Sequence, residues 1–411
     1  MPDPGRSQEH PVHVVVLGAG VIGVTTAYYL TERGHSVTVV DRADEVASGA
    51  SGGNGGQLSY SFTDAMASPL LLPKLPGIMA GRNPAFYVRP RLNAQLVRWG
   101  LAFLGQCRRG RFRHNSVEIL KLALRSGELV QALQATTGLD FAWRRAGKLV
   151  MLDSPTSVSE ARQMCELKRR HGCEIHVVTL DEAVAIEPAL EHMDNGYAGA
   201  VYSARDEVGN SQSFTQDLAH WLEQNRDVEF QLGRDTRRIV TAGDALEAIE
   251  TDQGTLAADA VVVSMGAWSS QLLRPLGIAA NIYPMRGYSV TLPAIGTSNM
   301  TSITDPGSKT VFSRLGDEVR VAGFADFIGY RTDKDEERAR KLLDTARCTA
   351  PKIADFDAEH VAEWGGFRPM TPNSQPLLGP SKVEGVHLNT GHGMLGWTLA
   401  CASAERVAAG I

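Results

Sequence analysis

The sequence predicts an α/β protein, and three observations carry that prediction. A complete strand–turn–helix–strand run occupies Val12–Asp41, VHVVVLGAGVIGVTTAYYLTERGHSVTVVD. A second glycine-rich strand-to-helix turn, Thr390–Trp397, closes the chain. Between them, stretches of strand-like alternation are interspersed with segments of helical periodicity. A length of 411 residues suits two structural domains.

Val12–Leu17 is an apolar, mostly β-branched run, as expected of a parallel strand buried on both faces. Gly18-Ala19-Gly20-Val21-Ile22-Gly23 then matches G-x-G-x-x-G at the turn. Gly18 permits the tight turn, Gly20 lets the backbone approach a pyrophosphate, and Gly23 allows close helix–strand packing. The following helix begins with free N–H groups and the positive end of its dipole, which favour phosphate. The second strand, Ser36–Val40, ends in Asp41, placed to accept hydrogen bonds from an adenosine ribose. A lone glycine fingerprint is weak evidence. Here strand, glycines, helix, second strand and terminal acid occur in order, which makes the motif specific.

Val12–Leu30 contains no Asp, Glu, Lys or Arg and approaches the length of a membrane span. Its glycines sit at turn spacing, its first half is β-branched, and a polar amphipathic stretch follows, so it reads as a buried βα unit. No small-residue cleavage site follows the apolar core, which argues against a signal peptide. The composition, 43% hydrophobic and 21% charged, is that of an ordinary globular protein. A net charge of −5 gives no reason to expect nucleic acid as a partner. The five cysteines, Cys107, Cys165, Cys173, Cys348 and Cys401, are scattered without a C-x-x-C, which predicts free thiols in a reducing cytoplasm. No P-loop, H-E-x-x-H or metal-spaced Cys/His cluster occurs, so no metal site is predicted. Asn299-Met300-Thr301 fits a glycosylation sequon by coincidence, there being no secretory signal.

Residues 1–11 are polar and proline-flanked and are expected to form a loose tail. Ser48–Ser59, SGASGGNGGQLS, is rich enough in glycine to let backbone pass close to a flat ligand. Ser116–Thr137 and Ser157–Gly172 carry helical periodicity, with serine at each start and glycine near each end. Ser213–Asn225 also reads as a helix, and the charges of the Asp333–Ala346 helix form a solvated face. Strands are predicted at Phe141–Leu152, Gly199–Tyr202, Val228–Leu232, Thr236–Val240, Leu256–Ser264, Tyr283–Leu292 and Glu318–Phe324. Near the end, the short strand Val386–Asn389 runs into Gly391-His392-Gly393-Met394-Leu395-Gly396 and then into a small-residue helix, Thr398–Ala409. No acid-terminated strand follows, so this second glycine motif is not a second nucleotide site. A helix N-terminus aimed at a ligand there would favour negative charge.

Taken together, VVVLGAGVIGV, SGGNGGQLS, YPMRGYSVTLP, GGFRPMTPNSQPLLGP and LNTGHGMLGWTLACAS make the chain resemble the D-amino acid dehydrogenase branch of a superfamily of FAD-dependent amine and amino acid oxidoreductases. That superfamily also contains D-amino acid oxidase, glycine oxidase and sarcosine oxidase. The likeness runs from residue 12 nearly to the end, and the last two segments are its most diagnostic part. It implies a glutathione-reductase-like Rossmann FAD domain with an inserted mixed-sheet substrate domain. The FAD domain would take residues 12–90, 206–280 and 366–411. The substrate domain would take residues 91–205 and 281–365, with the cavity between the two.

The resemblance also implies cofactor contacts. Gly18, Ala19, Gly20, Val21, Ile22 and Gly23 would hold the FAD pyrophosphate, and Asp41 with Arg42 would lie at the ribose. Asp41 departs from the glutamate common among flavoproteins, but either carboxylate can serve. Ser48, Gly49, Ala50, Ser51, Asn54, Gly55, Gly56, Gln57 and Leu58 would pass beside the isoalloxazine. Thr236 would set backbone against adenine, and Gly266 belongs to a loop closing over the cofactor. Gly391, His392, Gly393, Met394, Leu395, Gly396, Trp397 and Thr398 would cap the pyrimidine side of the ring, where reduction places negative charge. Some relatives attach flavin through a His in the early glycine loop or a Cys near the GFRP-like segment. This chain has neither, so non-covalent FAD is expected.

Arg368, in Gly366-Phe367-Arg368-Pro369, matches the arginine that grips the substrate carboxylate in amino acid oxidases of this type. A planar fork of donors suits bidentate carboxylate binding. The competing reading is an arginine held by a surface acid or a backbone carbonyl. Tyr288 and Tyr60 are further candidates for the substrate cavity, set against ordinary aromatic packing. His392 is a weaker general-base candidate, because its backbone N–H beside a helix end has its own use. Trp268 and Trp397 read as packing around the cofactor, and Arg286 and Arg314 as candidates to assist anion binding, set against ordinary surface arginines.

The function expected is oxidation of a D-amino acid by hydride transfer from Cα to flavin N5, giving an imino acid that hydrolyses to a 2-oxo acid and ammonia. No strong protein base is needed if the amine arrives neutral. Alternatives are an oxidase or dehydrogenase of glycine, sarcosine or proline-like secondary amines, an FAD-carrying scaffold or electron-relay subunit, and an NAD-dependent dehydrogenase. The electron acceptor (oxygen, a quinone or a partner protein) is not legible in the residues. Any attachment to the inner face of the cytoplasmic membrane would be peripheral.

Overall fold

Burial on both faces explains why the first strand is an unbroken apolar run. In the computed structural model, which describes residues 11–83, 85–89, 93–193, 196–296, 300–333, 335–359 and 361–411, Val14, Val15, Val16 and Leu17 are fully buried. Each such side chain contributes roughly 1.5–3 kcal/mol. The expected N-terminal tail, Pro11 apart, lies outside the described residues, as does Asn299 of the sequon-like triplet.

The strand His13–Leu17 pairs in parallel with Ser36–Val40 on one side and Ala260–Val263 on the other. Among the described residues the sheet has six strands, in the order Leu377–Pro380, Val386–Thr390, Ala260–Val263, His13–Leu17, Ser36–Val40, Val228–Gln231. Its Leu377–Pro380 edge is antiparallel. One sheet thus gathers three distant stretches of chain. The helix Val21–Thr31 packs on the terminal helix Gly396–Ala408, whose buried Ala400, Cys401 and Ala402 allow close approach.

A second, mixed sheet, of nine strands among the described residues, includes Ala362–Met370, Tyr283–Pro293, Glu318–Phe327, Thr310–Leu315, Ser302–Asp305 and Lys148–Leu152. Its short member Phe86–Val88 pairs with Glu318–Phe327. That strand, expected in the first segment of the nucleotide-binding unit, therefore belongs to the other sheet. The long helix Arg109–Thr137 bridges the two units. Its Leu129, Val130 and Leu133 join the core of the six-stranded sheet, while Leu120 packs with Val150 and Val201 of the mixed one.

Two further expectations need correction. Of the strand predicted at Phe141–Leu152, only Lys148–Leu152 is extended. Phe141 is pinned in an aromatic cluster with Phe214 and Trp397, and Ala142 turns at φ 53°. That left-handed conformation breaks the run. The helix predicted from Ser116 begins at Arg109. The exposed, arginine-rich first two turns hide the periodicity on which the later start was read.

Candidate functional site

One large cavity, about 1530 Å³, lies between the two sheets and is lined by both glycine-rich segments. Such an interdomain cleft is where small-molecule sites commonly form. Gly18, Ala19, Gly20, Val21 and Ile22 line it, with Asp41, Arg42, Ser48, Gly49, Ala50, Ser51, Asn54, Gly55 and Gln57. Thr236, Gly266, His392, Gly393, Met394, Leu395, Gly396, Trp397 and Thr398 line it from distant parts of the chain.

Four residues of the predicted cofactor-binding set do not reach the cavity wall. A Cβ on Gly23 would lie 1.7 Å from the Gly18 carbonyl oxygen, so Gly23 serves helix–strand packing. Gly56 turns at φ 74° against Leu315, Leu58 is fully buried, and Gly391 turns at φ 81° against Thr371. Each shapes a lining segment from behind.

Asp41 supports the first glycine loop directly. Its Oδ2 accepts from the Ala19 amide at 2.7 Å and its Oδ1 from the Ala43 amide at 2.9 Å. Ser51 Oγ accepts from the Val21 amide at 2.9 Å, tying the second loop to the start of the helix. Beside them the Arg42 guanidinium stacks on Trp268, 4.1 Å from the ring centroid. Trp268 therefore also lines the cavity, next to Gly266 and Ala267.

The last glycine motif meets the Ser48–Ser59 segment through Thr398. Its hydroxyl accepts from the Ser59 amide at 3.1 Å and donates to the Gln57 carbonyl at 3.4 Å. His392 is buried with Nε2 unpartnered, and burial pushes its pKa down to about 3. An imidazole with so low a pKa stays neutral near pH 7 and takes up a second proton poorly, which counts against the general-base role. Trp397 Nε1 donates to the Gly209 carbonyl and its ring packs on Phe141 and Phe214, a mainly structural place.

Arg368 lines the cavity from the strand Ala362–Met370, half-buried and packed against Gly287, where a Cβ would come within 2.4 Å of its Cζ. Its guanidinium donates to the carbonyls of Phe324 at 2.6 Å and Gly323 at 3.4 Å. Those carbonyls lie at a register shift in Glu318–Phe327, with Phe324 at φ 58°. A bulky residue in that conformation is strained, and the bulge re-aims the backbone at Arg368. Burial, partly offset by Asp326, pushes the Arg368 pKa down to about 10, so it stays cationic. Backbone carbonyls therefore orient the fork, and acceptors without a full charge leave its positive charge unneutralised toward the cavity.

The tyrosines part company. Tyr288 lines the cavity, and its hydroxyl donates to Asp326 Oδ2 at 2.9 Å, which Arg338 Nε also approaches at 2.9 Å. Burial first, then the Asp326 charge, raises its pKa, so it remains a neutral phenol. Tyr60 does not line the cavity: it is buried against Gly127, and its hydroxyl donates to Glu207 Oε2 at 2.9 Å. The Gln57–Ser61 segment turns it inward, so its place at the cavity is corrected to one in the core.

Sequence reasoning missed several lining groups. Gly53 makes room for Trp364, whose ring a Cβ there would meet at 2.1 Å. Arg286, weighed above between anion binding and the surface, is buried rather than exposed: it donates to the Arg331 carbonyl and leaves Nε unpartnered at the lined face. Lys148 was also missed, because a lysine at the end of an apolar strand such as KLVML ordinarily reaches solvent.

Comparison with known proteins agrees with this geometry. The profile of the DAO family, described as FAD dependent oxidoreductase, matches residues 13–409. The chain is 36% identical to D-amino acid dehydrogenase 2 of Ralstonia nicotianae, covering 97% of this chain and 96% of that one. It is 38% identical to D-amino acid dehydrogenase of Paramagnetospirillum magneticum, covering 96% and 94%. Among solved structures it is similar to glycine oxidase from Geobacillus kaustophilus, with a TM-score of 0.77, 22% identity, and 98% and 95% coverage. L-proline dehydrogenase from P. horikoshii superposes with a TM-score of 0.74 at 18% identity over 97% and 92%.

Proposed function

The chain belongs to the DAO family of FAD-dependent oxidoreductases, and on that premise we propose that it oxidatively deaminates D-amino acids. The observation that carries this reading is Arg368, a half-buried cation oriented by two backbone carbonyls on the wall of a cavity lined by both glycine motifs. Similarity to proteins named D-amino acid dehydrogenase supports the substrate class.

The residues present fit FAD. Gly20 leaves the loop open to a pyrophosphate, because nothing but Ser51 Oγ, at 3.3 Å, stands where its Cβ would be. Gly18–Ile22 would receive the phosphates at a helix N-terminus. Asp41, bonded to two amides, keeps lone pairs for ribose hydroxyls. Arg42, Thr236 and Gly266 would flank the adenosine half. The Ser48–Gln57 segment and His392–Thr398 would meet the ring, with the helix N-terminus at Gly396 favouring negative charge. Cys401 is buried inside its helix, its thiol pushed up to about 12 by burial, which suits non-covalent binding. Bound FAD supplies the two-electron acceptor.

The protein's part is orientation. Arg368 would hold the carboxylate so that Cα–H faces the ring, converting encounter into alignment. Tyr288, kept neutral, would offer a fixed wall and no charge. An amine arriving neutral loses hydride without a protein base, and the lining has no His–Asp relay. Anaerobic titration of the purified holoprotein with D- and L-alanine, D-proline, glycine and sarcosine tests this reading. Bleaching of the flavin by D-alanine at the lowest concentration is expected. Preferential bleaching by sarcosine or glycine would transfer the assignment to secondary-amine or glycine oxidation.

Among the described residues no helix is long and apolar enough to cross a membrane. Peripheral association is supported by the helix Ala94–Gln106, which exposes Val97, Leu101 and Leu104 on one face. Exposed Arg98, Arg108, Arg109 and Arg113 lie close by in sequence. Leu104 and Val97 also border the cavity, together with Leu70 and Met79, so an apolar acceptor of the quinone class held in a bilayer would have a matching wall. An apolar face with basic neighbours is the pattern of interfacial helices. Wild type is expected to float with anionic phospholipid vesicles and Leu101→Glu to remain behind. Equal flotation of the two would remove this surface from consideration.

A further inference from the structure

Lys148 is a buried ammonium that the mechanism above does not use. It opens the strand Lys148–Leu152, is 5% exposed, and lines the cavity. Its Nζ donates to Gln57 Oε1 at 2.9 Å and to Ser59 Oγ at 2.7 Å. The Ser59 amide in turn donates to Thr398 Oγ1 at the start of the terminal helix. The amine therefore sits at the seam where the two glycine motifs meet. Gln57 is fixed from its other side, its Nε2 donating to Ser302 Oγ at 2.5 Å.

Both acceptors of Lys148 are neutral, so a neutral donor of similar length would pin the segment as well. Removing an ammonium from water costs several kcal/mol, a cost normally offset by a partner carboxylate. Among the described residues no carboxylate lies within ion-pair distance of its Nζ. Buried Asp206 couples to it electrostatically from beyond ion-pair distance: its carboxyl, pushed up to about 6 by burial, is still mostly ionised at neutral pH, and its Oδ2 is unpartnered. Lys168, which could have supplied this charge, is committed to Asp64 at 3.0 Å, and both lysines lie near the Phe62 ring. Lys148 thus reaches the cavity wall without a contact ion pair, its counter-charge held at a distance by Asp206.

We propose that Lys148 is a positioning and charge-balancing residue for the flavin ring, setting its reduction potential from the junction of the Ser48–Ser59 segment and the terminal helix. Hydride from the amino acid brings two electrons and one proton, which adds one negative charge to the site, and a fixed cation stabilises that added charge. Burial lowers the Lys148 pKa to about 8, which still leaves it charged at neutral pH. This inference rests on the proposed seat of FAD between the two glycine motifs.

The test is the midpoint potential of bound FAD in wild type, Lys148→Met and Lys148→Gln, read with redox dyes, together with titration by sulfite, an anion that adds to flavin rings. Loss of the charge is expected to shift the two-electron equilibrium about tenfold toward oxidised flavin, a drop of about 30 mV. Sulfite binding should weaken by a similar factor. Lys148→Gln keeps polar contacts to Gln57 and Ser59 and separates charge from pinning. Folded Lys148→Gln protein with unchanged potential and sulfite affinity would overturn the proposal. So would folded protein that no longer retains FAD, since Lys148 would then be a structural pin. If wild type holds no reducible flavin, the proposed function itself fails. If D-alanine reduces wild type but the potentials coincide, only this inference does.

Discussion

Replacing Arg368 by methionine is expected to lower kcat/KM for a D-amino acid by about 100- to 1,000-fold, roughly 3–4 kcal/mol of transition-state binding. Bound FAD should be retained. The argument is geometric. The guanidinium lies on the cavity wall, and the carbonyls of Phe324 and Gly323 hold it by single, uncharged acceptors. A carboxylate arriving from the cavity would meet a preoriented fork rather than a mobile side chain, so little rotamer entropy remains to be lost on binding. Arg368→Lys keeps charge but loses the fork, and should recover only part of the loss. A simple carboxylate inhibitor should weaken in parallel with substrate. The alternative is that Arg368 only braces the strained backbone at Phe324, whose φ is 58°. In that case Arg368→Met would lower thermal stability and kcat together, leaving inhibitor affinity untouched. Steady-state kinetics and inhibitor binding on the same holoprotein therefore separate the roles.

The same residue illustrates what the sequence could convey. Gly366-Phe367-Arg368-Pro369 marked a candidate clamp by resemblance, but the carbonyls that aim it belong to residues 323 and 324, more than forty positions earlier. The register shift that turns them inward leaves no signature in a strand pattern of period two. The first βαβ unit was legible in detail because every requirement there is local: a run buried on both faces, a turn needing glycine, an acid ending a strand. Asp41 was readable as an acid in place, yet its bonds to Ala19 and Ala43 were not. Tyr60 was misassigned because its direction depends on a two-residue strand, Gln57–Leu58, paired with Glu207–Val208 far along the chain. Lys148 was overlooked for a similar reason. Its partners Gln57 and Ser59 lie on another element, and a lysine at the end of an apolar strand ordinarily reaches solvent. Local chemistry was thus readable, whereas side-chain direction set by distant pairing was not.

The glycine fingerprint makes the other large prediction, because its three glycines fail for different reasons. Gly23→Ala is expected to destabilise the protein by more than about 3 kcal/mol, enough to leave little soluble material. Its Cβ would stand 1.7 Å from the Gly18 carbonyl oxygen, backbone of the buried turn between the strand His13–Leu17 and the helix Val21–Thr31. No side chain can move to relieve that overlap. Gly18→Ala should fail similarly, combining φ 109° with a contact of 2.7 Å to the Ser264 carbonyl oxygen. Gly20 differs. Its Cβ would meet only Ser51 Oγ at 3.3 Å, and its φ of −81° suits any residue. Gly20→Ala should therefore fold, while the added methyl stands where the pyrophosphate would approach. An apparent Kd for FAD raised about 10- to 100-fold, or roughly 1–3 kcal/mol, is expected. Soluble yield and thermal unfolding of the apoproteins measure the first effect, and flavin fluorescence quenching the second. Wild-type stability in Gly23→Ala would contradict the packing account. Unaltered FAD affinity in Gly20→Ala would place the phosphates elsewhere in the cavity and detach the loop from the cofactor.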